Sequence, residues 1–337
     1  MTADNSDEAV APLFAHTLRN QTFLPHTPLG GGREFDAIRR LLERWGPRAR
    51  CIGDDAAILT AKDGLTVVSV DTSVEDVHFR RGWITPAEIG YRSAAAALSD
   101  IAAMGAKPIG MLAALTIPES WSSALDEIGD GIGDAGARCD APILGGDLSR
   151  GDKLSLTFTV LGTAARTLCR SGARAGDRVY MTGAVGGSLA ALRAFERGTE
   201  PPPDARRRFA HPEPRIREAA WLSTAGATAA IDISDGLAAD LAHIAAASRV
   251  EISIDLERIR TMAGLFPFDA ASSGEEYELL ATVPDDLDLA GFEREFGIEL
   301  TWIGTVSAGD AAVRVFFQGE EVEAPTGYLH FNADPPQ

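Results

Sequence analysis

Three observations predict a two-domain protein of mixed helices and strands. The chain has 337 residues, long for a single hydrophobic core. Short apolar strands recur between amphipathic helices along most of its length. Composition changes near residues 162–168, just after Leu154, Leu156, Phe158 and Val160 alternate with Ser155, Thr157 and Thr159, the pattern of a half-buried antiparallel strand. The expected organisation is an extension over residues 1–32, a first domain over 33–163 and a second over 164–337.

The composition narrows the function classes. Asp and Glu number 49 against 31 Lys and Arg, a net charge of −18. Such a surface repels nucleic acid and anionic membrane, so neither is expected as a partner. A small anionic substrate stays possible, because bound metal ions invert the local field. Cys51, Cys139 and Cys169 show no Cys-x-x-Cys spacing and fit reduced thiols in a cytoplasm. The N-terminus has no apolar signal core, and no run reaches the length of a membrane span.

Taken in order, the extension ends in Gly30-Gly31-Gly32, a flexible punctuation. Residues 34–45 place Phe35, Ile38, Leu41, Leu42 and Trp45 near helical spacing, and Gly46-Pro47 stops that helix. Ile52 to Leu59 reads as a turn with paired acids, Asp54 and Asp55, entering a short strand. Adjacent carboxylates repel unless solvated or bridged by a cation, though an ordinary Gly-Asp turn has the same composition. Leu65 to Val70 is a β-branched run expected to form a buried strand. Asp71, Thr72, Glu75, Asp76 and the lone His78 follow it. Oxygen ligands gathered at a strand end suit Mg²⁺; a locally capped polar turn is the alternative.

Thr85-Pro86 opens a helix running to Gly105, with Thr85 as N-cap and Asp100 at the edge of its apolar stripe. Residues 110–118 form a strand, and 120–139 a helix with Trp121, Leu125, Ile128 and Ile132 inward. Ile143 to Asp147 repeats the strand-and-acid theme, with Gly145 and Gly146 able to admit a phosphate close to the backbone. Arg170 could clamp a nucleotide phosphate bidentately or simply be solvated. A strand over 178–182 precedes a glycine-opened helix over 183–197, an exposed loop over 198–204, and a basic run, Arg206 to Arg208, expected to be solvated. Ala230 to Leu237 is a short strand entering a helix that reaches Ala247, with Asp232 at the strand end and Ser234 or Asp235 as the cap. Strands are expected at 251–256, 279–284, 301–306 and 313–318, and residues 272–278 form a polar turn entering the second of these. Gly327 to Phe331 is an aromatic tail, a core plug or a ligand lid.

The strand-end and helix-edge acids are Asp54, Asp55, Asp71, Asp100, Asp147, Asp232 and Asp235, drawn from both halves. No Gly-x-x-x-x-Gly-Lys-Ser/Thr, His-Arg-Asp, Asp-Phe-Gly or Gly-x-Ser-x-Gly pattern occurs. An acid-rich, lysine-poor set suggests phosphate chemistry neutralised by several Mg²⁺ ions.

Seven stretches carry a resemblance: Ile52-Gly53-Asp54-Asp55-Ala56-Ala57, Val70-Asp71-Thr72 with His78-Phe79, residues 98–106 (Leu-Ser-Asp-Ile-Ala-Ala-Met-Gly-Ala), Gly145-Gly146-Asp147, Arg170-Ser171-Gly172-Ala173, Ile231 to Leu237, and Gly274-Glu275-Glu276-Tyr277-Glu278-Leu279. In order, from about Glu34 to Phe331, the chain resembles the thiamine-monophosphate kinases of the aminoimidazole-ribonucleotide-synthetase-like ATP-binding superfamily. The resemblance implies an α+β fold of two α/β-layered domains: an N-terminal mixed sheet that pairs in a homodimer, and a C-terminal sheet packed with helices. It implies ATP- and Mg²⁺-dependent phosphorylation of thiamine monophosphate to thiamine diphosphate. Carried over by residue, it implies Mg²⁺ ligation by Asp55, Asp71, Asp100, Asp147 and Asp232, with Ser69, Val70 (by its carbonyl) and Asp235. It implies ATP contacts from Gly146, Asp147, Arg170 and Ser234, and acceptor contacts from His78, Glu275 and Tyr328. No general base is required, because the attacking phosphate oxygen is already anionic. Val70 stands where threonine is usual, Ser273 and Arg33 where glycine is, and Glu276 where Asp is. The rival readings are an aminoimidazole ribonucleotide or selenophosphate synthetase, or a nucleotide-binding dimer without turnover. Gly30 to Arg33 lacks the reactive cysteine a selenophosphate synthetase would want.

Overall fold

The computed structural model describes residues 28–31, 35, 36, 38, 39, 42, 53–61, 64–284 and 287–328. The expected 34–45 helix, most of the N-terminal extension, Cys51, Ile52 and the end of the aromatic tail lie wholly or largely outside them.

The first sheet has strand order β1-β2-β5-β3-β4. Its strands are β1 (Ala57–Ala61), β2 (Gly64–Val74), β3 (Lys107–Ile117), β4 (Ile143–Arg150) and β5 (Ser155–Ala164). All neighbours are antiparallel except β3 and β4. Leu156, Phe158 and Val160 of β5 are buried, and the intervening residues are not, as the alternation predicts. One face is covered by α1 (Pro86–Ala103) and α2 (Leu125–Arg138). Helix α1 starts as its sequence requires. The Thr85 hydroxyl accepts the Glu88 N–H, the Glu88 carboxylate accepts the Thr85 N–H, and Pro86 takes the first turn.

The two helices touch backbone to backbone. A Cβ on Gly90 would lie 2.2 Å from the Ile128 carbonyl oxygen, and one on Gly131 would lie 1.8 Å from that of Ala87. Glycine at both crossings lets α1 lie close against α2, which fixes the helix that carries Asp100.

Two strands differ from expectation. β2 continues four residues past Val70, so Asp71 sits within the strand, and Val70 is 64% exposed rather than buried. Val70 and Leu112 share register with Thr159 and face away from the helices. β4 is exposed along its whole length, with Asp147 in mid-strand. Apolar character at Val70 and along β4 therefore marks an open sheet face, while Val67 of β2 is in the core.

The second sheet has order β12-β11-β8-β10-β6-β9-β7. Its strands in chain order are β6 (Arg178–Thr182), β7 (Ala229–Asp232), β8 (Glu251–Asp255), β9 (Leu279–Val283), β10 (Leu300–Ser307), β11 (Ala312–Phe317) and β12 (Glu320–Val322). Its neighbours are antiparallel except β11 and β8. Among its helices, α3 (Gly187–Glu196), α4 (Pro203–Ala210), α5 (Ile216–Thr224) and α6 (Leu237–Ser248) matter for the site. Helix α3 begins four residues later than expected, after Gly186 at φ 99°. α4 takes up the end of the expected loop and the whole of the basic run. Only Arg207 of that run is exposed; Arg206 binds Glu88 at 2.6 Å and Arg208 binds Glu278 at 2.7 Å. A nearby carboxylate partner outweighs solvation once α4 is laid against α1. Among the described residues, no helix is long and apolar enough to cross a membrane.

Replacing Gly131 by Ala should destabilise the protein by about 1–3 kcal/mol through overpacking at the α1–α2 crossing. Denaturant melts of the two proteins measure this. An unchanged midpoint would show that the helices can separate without cost.

Candidate active site

Asp55, Asp100 and Asp232 converge from three elements: the turn before β1, the last turns of α1, and the end of β7. One carboxylate oxygen from each lies within 4.8 Å of the others. Like charges this close, out of water, are unfavourable without a cation. Burial, and then the charges of Asp232, Asp55 and Asp71, hold the Asp100 carboxyl well above the usual range. Burial and Asp55 push Asp232 up to about 7. Two hydroxyls orient the acids. Ser69 donates to Asp100 at 2.5 Å, and Ser99 donates to Asp232 at 2.5 Å. Ser69 and Asp71 are alternate residues of β2 and share the helix-facing side, opposite Val70.

Arg170 is the cluster's counter-charge. Its Nε and Nη2 donate to the two Asp55 oxygens at 3.1 and 2.7 Å, and its backbone N–H donates to Asp54 at 2.6 Å. Burial works against its charge, but Asp55 and Asp54 outweigh this and raise its pKa. The group expected as a phosphate clamp thus grips a carboxylate of its own chain.

At the β7–α6 junction the expected capping is corrected. Gly236 is the N-cap, and neither Ser234 nor Asp235 caps by side chain. Asp240 does so from inside the helix, accepting the N–H groups of Ser234, Asp235 and Gly236 at 3.1, 3.2 and 3.0 Å. Burial and the charges of Asp235 and Asp232 raise its pKa. The side chains of Ser234 and Asp235 thus take no part in capping α6. Buried His243 lies near Asp235 and Asp240, with Phe35 at 4.2 Å, and burial with Arg170 pushes it down to about 4, so it is neutral.

The 274–278 turn reaches the same edge. Glu275 donates its N–H to the Ser234 carbonyl at 2.7 Å, and Tyr328 donates its N–H to the Asp235 carbonyl at 2.8 Å. The Tyr328 ring is half exposed, and burial with the charges of Glu275 and Asp235 raises its phenol pKa. The structure therefore gathers Asp55, Ser69, Asp71, Asp100, Arg170, Asp232, Ser234, Asp235, Glu275 and Tyr328 around one region.

Other expected residues stand apart. His78 accepts the Val74 N–H at Nδ1 (3.0 Å), which in a neutral ring leaves the proton on Nε2. Glu75 accepts the Trp121 indole N–H at 3.0 Å and Asp76 binds Lys153 at 2.9 Å, so both serve the fold rather than a cation. Gly146 meets its own backbone first: a Cβ there would lie 1.8 Å from the Ala113 carbonyl oxygen. Asp147, beside it on β4, is separated from β2 by two strands, about 14 Å at ordinary strand spacing. Ser99 and Arg92 went unnoticed as site residues, because both lie within the apolar run of α1. The pairing of a polar side chain with full burial, which would have flagged them, is not visible in sequence.

The matched models are those of AIR synthase related protein, its N-terminal domain over residues 53–164 and its C-terminal domain over 174–316. Thiamine-monophosphate kinase of Mycobacterium tuberculosis is 36% identical over 315 residues, covering 88% of this chain and 91% of the relative. The Escherichia coli K12 protein of that name is 36% identical over 330 residues, covering 89% and 96%. This chain belongs to the thiamine-monophosphate kinase family. A solved member, AaThiL complexed with AMPPCP and TMP, superposes with a TM-score of 0.78 at 30% identity, over 88% of this chain and 97% of that one. The α+β architecture of two sheets is thus the AIR-synthase-related one.

Asp100→Asn removes one of three crowded charges. Without divalent cation the variant should melt higher than the parent, and Mg²⁺ or Mn²⁺ should raise its melting temperature less. Calorimetry with and without metal checks both. Equal metal-induced shifts in the two proteins would remove Asp100 from the cation site.

Proposed function

We propose that this chain transfers the γ-phosphoryl group of ATP to the phosphate of thiamine monophosphate, giving thiamine diphosphate. The observation that carries this reading is the carboxylate centre with Arg170 on Asp55, and with Glu275 and Tyr328 tied to Ser234 and Asp235 just past Asp232. The family relatives named for this activity, and the AMPPCP and TMP bound by AaThiL, support it.

The donor set fits several Mg²⁺ ions. It offers only oxygen donors, from carboxylates, a hydroxyl and a backbone carbonyl, and the repulsion among its carboxylates is relieved by a hard cation. Asp55, Asp71, Asp100 and Asp232 are the ligands proposed first, with Ser69, the Val70 carbonyl, Asp235 and Asp147 completing the set. Bound Mg²⁺ supplies neutralisation of charge on the transferring phosphoryl group.

The chain's own residues do the remainder. Arg170 leaves Asp55 for a nucleotide phosphate, exchanging one bidentate anion for another, so nucleotide and metal enter together. Ser234 and Gly146 border the nucleotide. Tyr328 stacks on the cationic ring of the acceptor, a contact of about 0.5–2 kcal/mol. Glu275 binds the same molecule, and His78, apart from that cluster just past the end of β2, is proposed to reach it with its Nε2–H. No side chain need remove a proton; positioning for in-line attack carries the rate.

The open face of the first sheet, with Val70, Leu112 and the exposed strand β4, is proposed as the homodimer interface. A second copy would bring Gly146 and Asp147 toward a neighbouring site. The domains are proposed as residues 33–163 and 164–337. An acidic chain with no expected nucleic-acid or membrane partner fits a cytoplasmic enzyme.

Incubation with ATP, Mg²⁺ and thiamine monophosphate should yield a thiamine diphosphate peak on chromatography that disappears when metal is chelated. Asp71→Asn should lower turnover at least about 10²-fold in a folded dimer, the scale of losing one electrostatic stabiliser. Near-normal turnover in that variant would sink the metal assignment. Arg170→Met should weaken nucleotide binding and strengthen Mn²⁺ binding in the absence of nucleotide, both read by titration calorimetry. Metal affinity that stays the same would argue against the exchange at Asp55.

A further inference from the structure

We propose that Arg92 positions the acceptor: it fixes Glu275, and through α1 it sets the span between the acceptor's ring end and the carboxylate centre. This inference rests on the phosphoryl-transfer reading above and adds to it a residue that touches neither substrate.

The 274–278 turn presents three acids, and the structure uses them differently. Glu276 is fully buried and accepts the N–H groups of Gly186 and Ser188 at 2.8 and 3.0 Å and the Ser273 hydroxyl at 2.5 Å. Glu278 is fully buried and accepts Arg215 at 2.8 and 2.5 Å, Arg208 at 2.7 Å and Thr182 at 2.6 Å. Glu278 is consumed in anchoring the turn, and Glu276 anchors it through Oε1 while its buried Oε2 lies 3.7 Å from Arg208 without a hydrogen bond, closed to any ligand. Glu275 keeps 32% of its side chain exposed, at a φ of 55° that turns it away from the other two. One of its oxygens, Oε2, accepts Arg92 Nη2 at 2.5 Å; the other accepts no hydrogen bond among the described residues.

Arg92 is itself immobilised. Its side chain is 2% exposed, Nη1 donates to the Phe209 carbonyl, and the guanidinium lies 3.9 Å from the centre of the Phe209 ring. A planar fork held this way presents Nη2 in one direction before any ligand arrives. The result is a carboxylate with one oxygen pinned and one open, beside the half-exposed ring of Tyr328. An open carboxylate oxygen next to an aromatic face recognises a cationic, amino-bearing heteroaromatic ring.

The helix supplies the span. Arg92 and Ser99 are seven residues apart, on nearly the same face of α1, and Asp100 follows at eight. Eight residues of helix rise about 12 Å. Arg92, which pins the Glu275 carboxylate, and Asp100 of the charged centre therefore sit on one rigid rod at a fixed separation, suited to a ring and a phosphate joined by a short linker. A buried pair serving only stability would be enclosed like those of Glu276 and Glu278; this one is left open on the side of the site.

Steady-state kinetics of the full chain, with ATP and thiamine monophosphate varied in turn, test this on Arg92→Met, Arg92→Lys, Glu275→Gln and the Arg92→Met/Glu275→Gln double variant. Arg92→Met should raise KM for thiamine monophosphate at least about tenfold and leave KM for ATP within about twofold, with Arg92→Lys intermediate. The double variant should be no worse than the poorer single one, because the two act as a unit. A folded Arg92→Met with an unchanged acceptor KM, or with both KM values raised alike, overturns the assignment. If Arg92→Met does not fold, Arg92→Lys decides: it keeps the charge but loses the fork, and an unchanged acceptor KM overturns the proposal. Parent protein that makes no thiamine diphosphate removes the phosphoryl-transfer reading and this inference with it. An active parent with insensitive Arg92 variants removes only the latter.

Discussion

Repulsion among Asp55, Asp100 and Asp232 is the constraint on which the rest of the structure depends. The three carboxylates come from a turn, a helix and a strand end, and two of the elements belong to different sheets' domains. Folding brings them out of water and together, which costs free energy that must be offset elsewhere. Part of the offset is local: the Arg170 fork on Asp55 and the hydroxyls of Ser69 and Ser99. The rest comes from scaffolding that does not yield, the glycine-tight crossing of α1 on α2 and the apolar cores beneath each sheet.

Helix α1 links nearly every part of the site. Its N-terminal turn is tied by Glu88 to Arg206 of α4, its middle holds Arg92 against Glu275, and its last turns carry Ser99 and Asp100. Charge is buried at each point and matched by a partner from the second half of the chain, except at Asp100, which accepts the Ser69 hydroxyl and otherwise faces other acids. That asymmetry separates the groups paired within the fold from the acids proposed as cation ligands. The same distinction applies behind the 274–278 turn. A cavity of about 460 Å³ there is lined by Arg208, Arg215 and Arg260, but these are already paired with Glu278 and Glu299 and offer little free charge.

The sequence by itself determined where the elements begin and which acids to watch. Capping chemistry is local: Thr85, Pro86 and Glu88 specify the start of α1 within one turn of chain, and the alternation of β5 specifies its buried face. Asp55, Asp71, Asp100 and Asp232 were legible because a carboxylate beside an apolar run is conspicuous in any one-dimensional reading. Tertiary structure alone decided what those groups do. Whether β2 is buried or open depends on what covers the sheet, not on its own valines. Whether Arg206 is solvated depends on a glutamate 118 residues away. Arg170 grips Asp55 across 115 residues, Arg92 grips Glu275 across 183, and Asp240 caps a helix from within it. Coulombic and hydrogen-bonding partners act through space over a few ångströms, while sequence patterns record only neighbours along the chain, so pairing was settled by the fold.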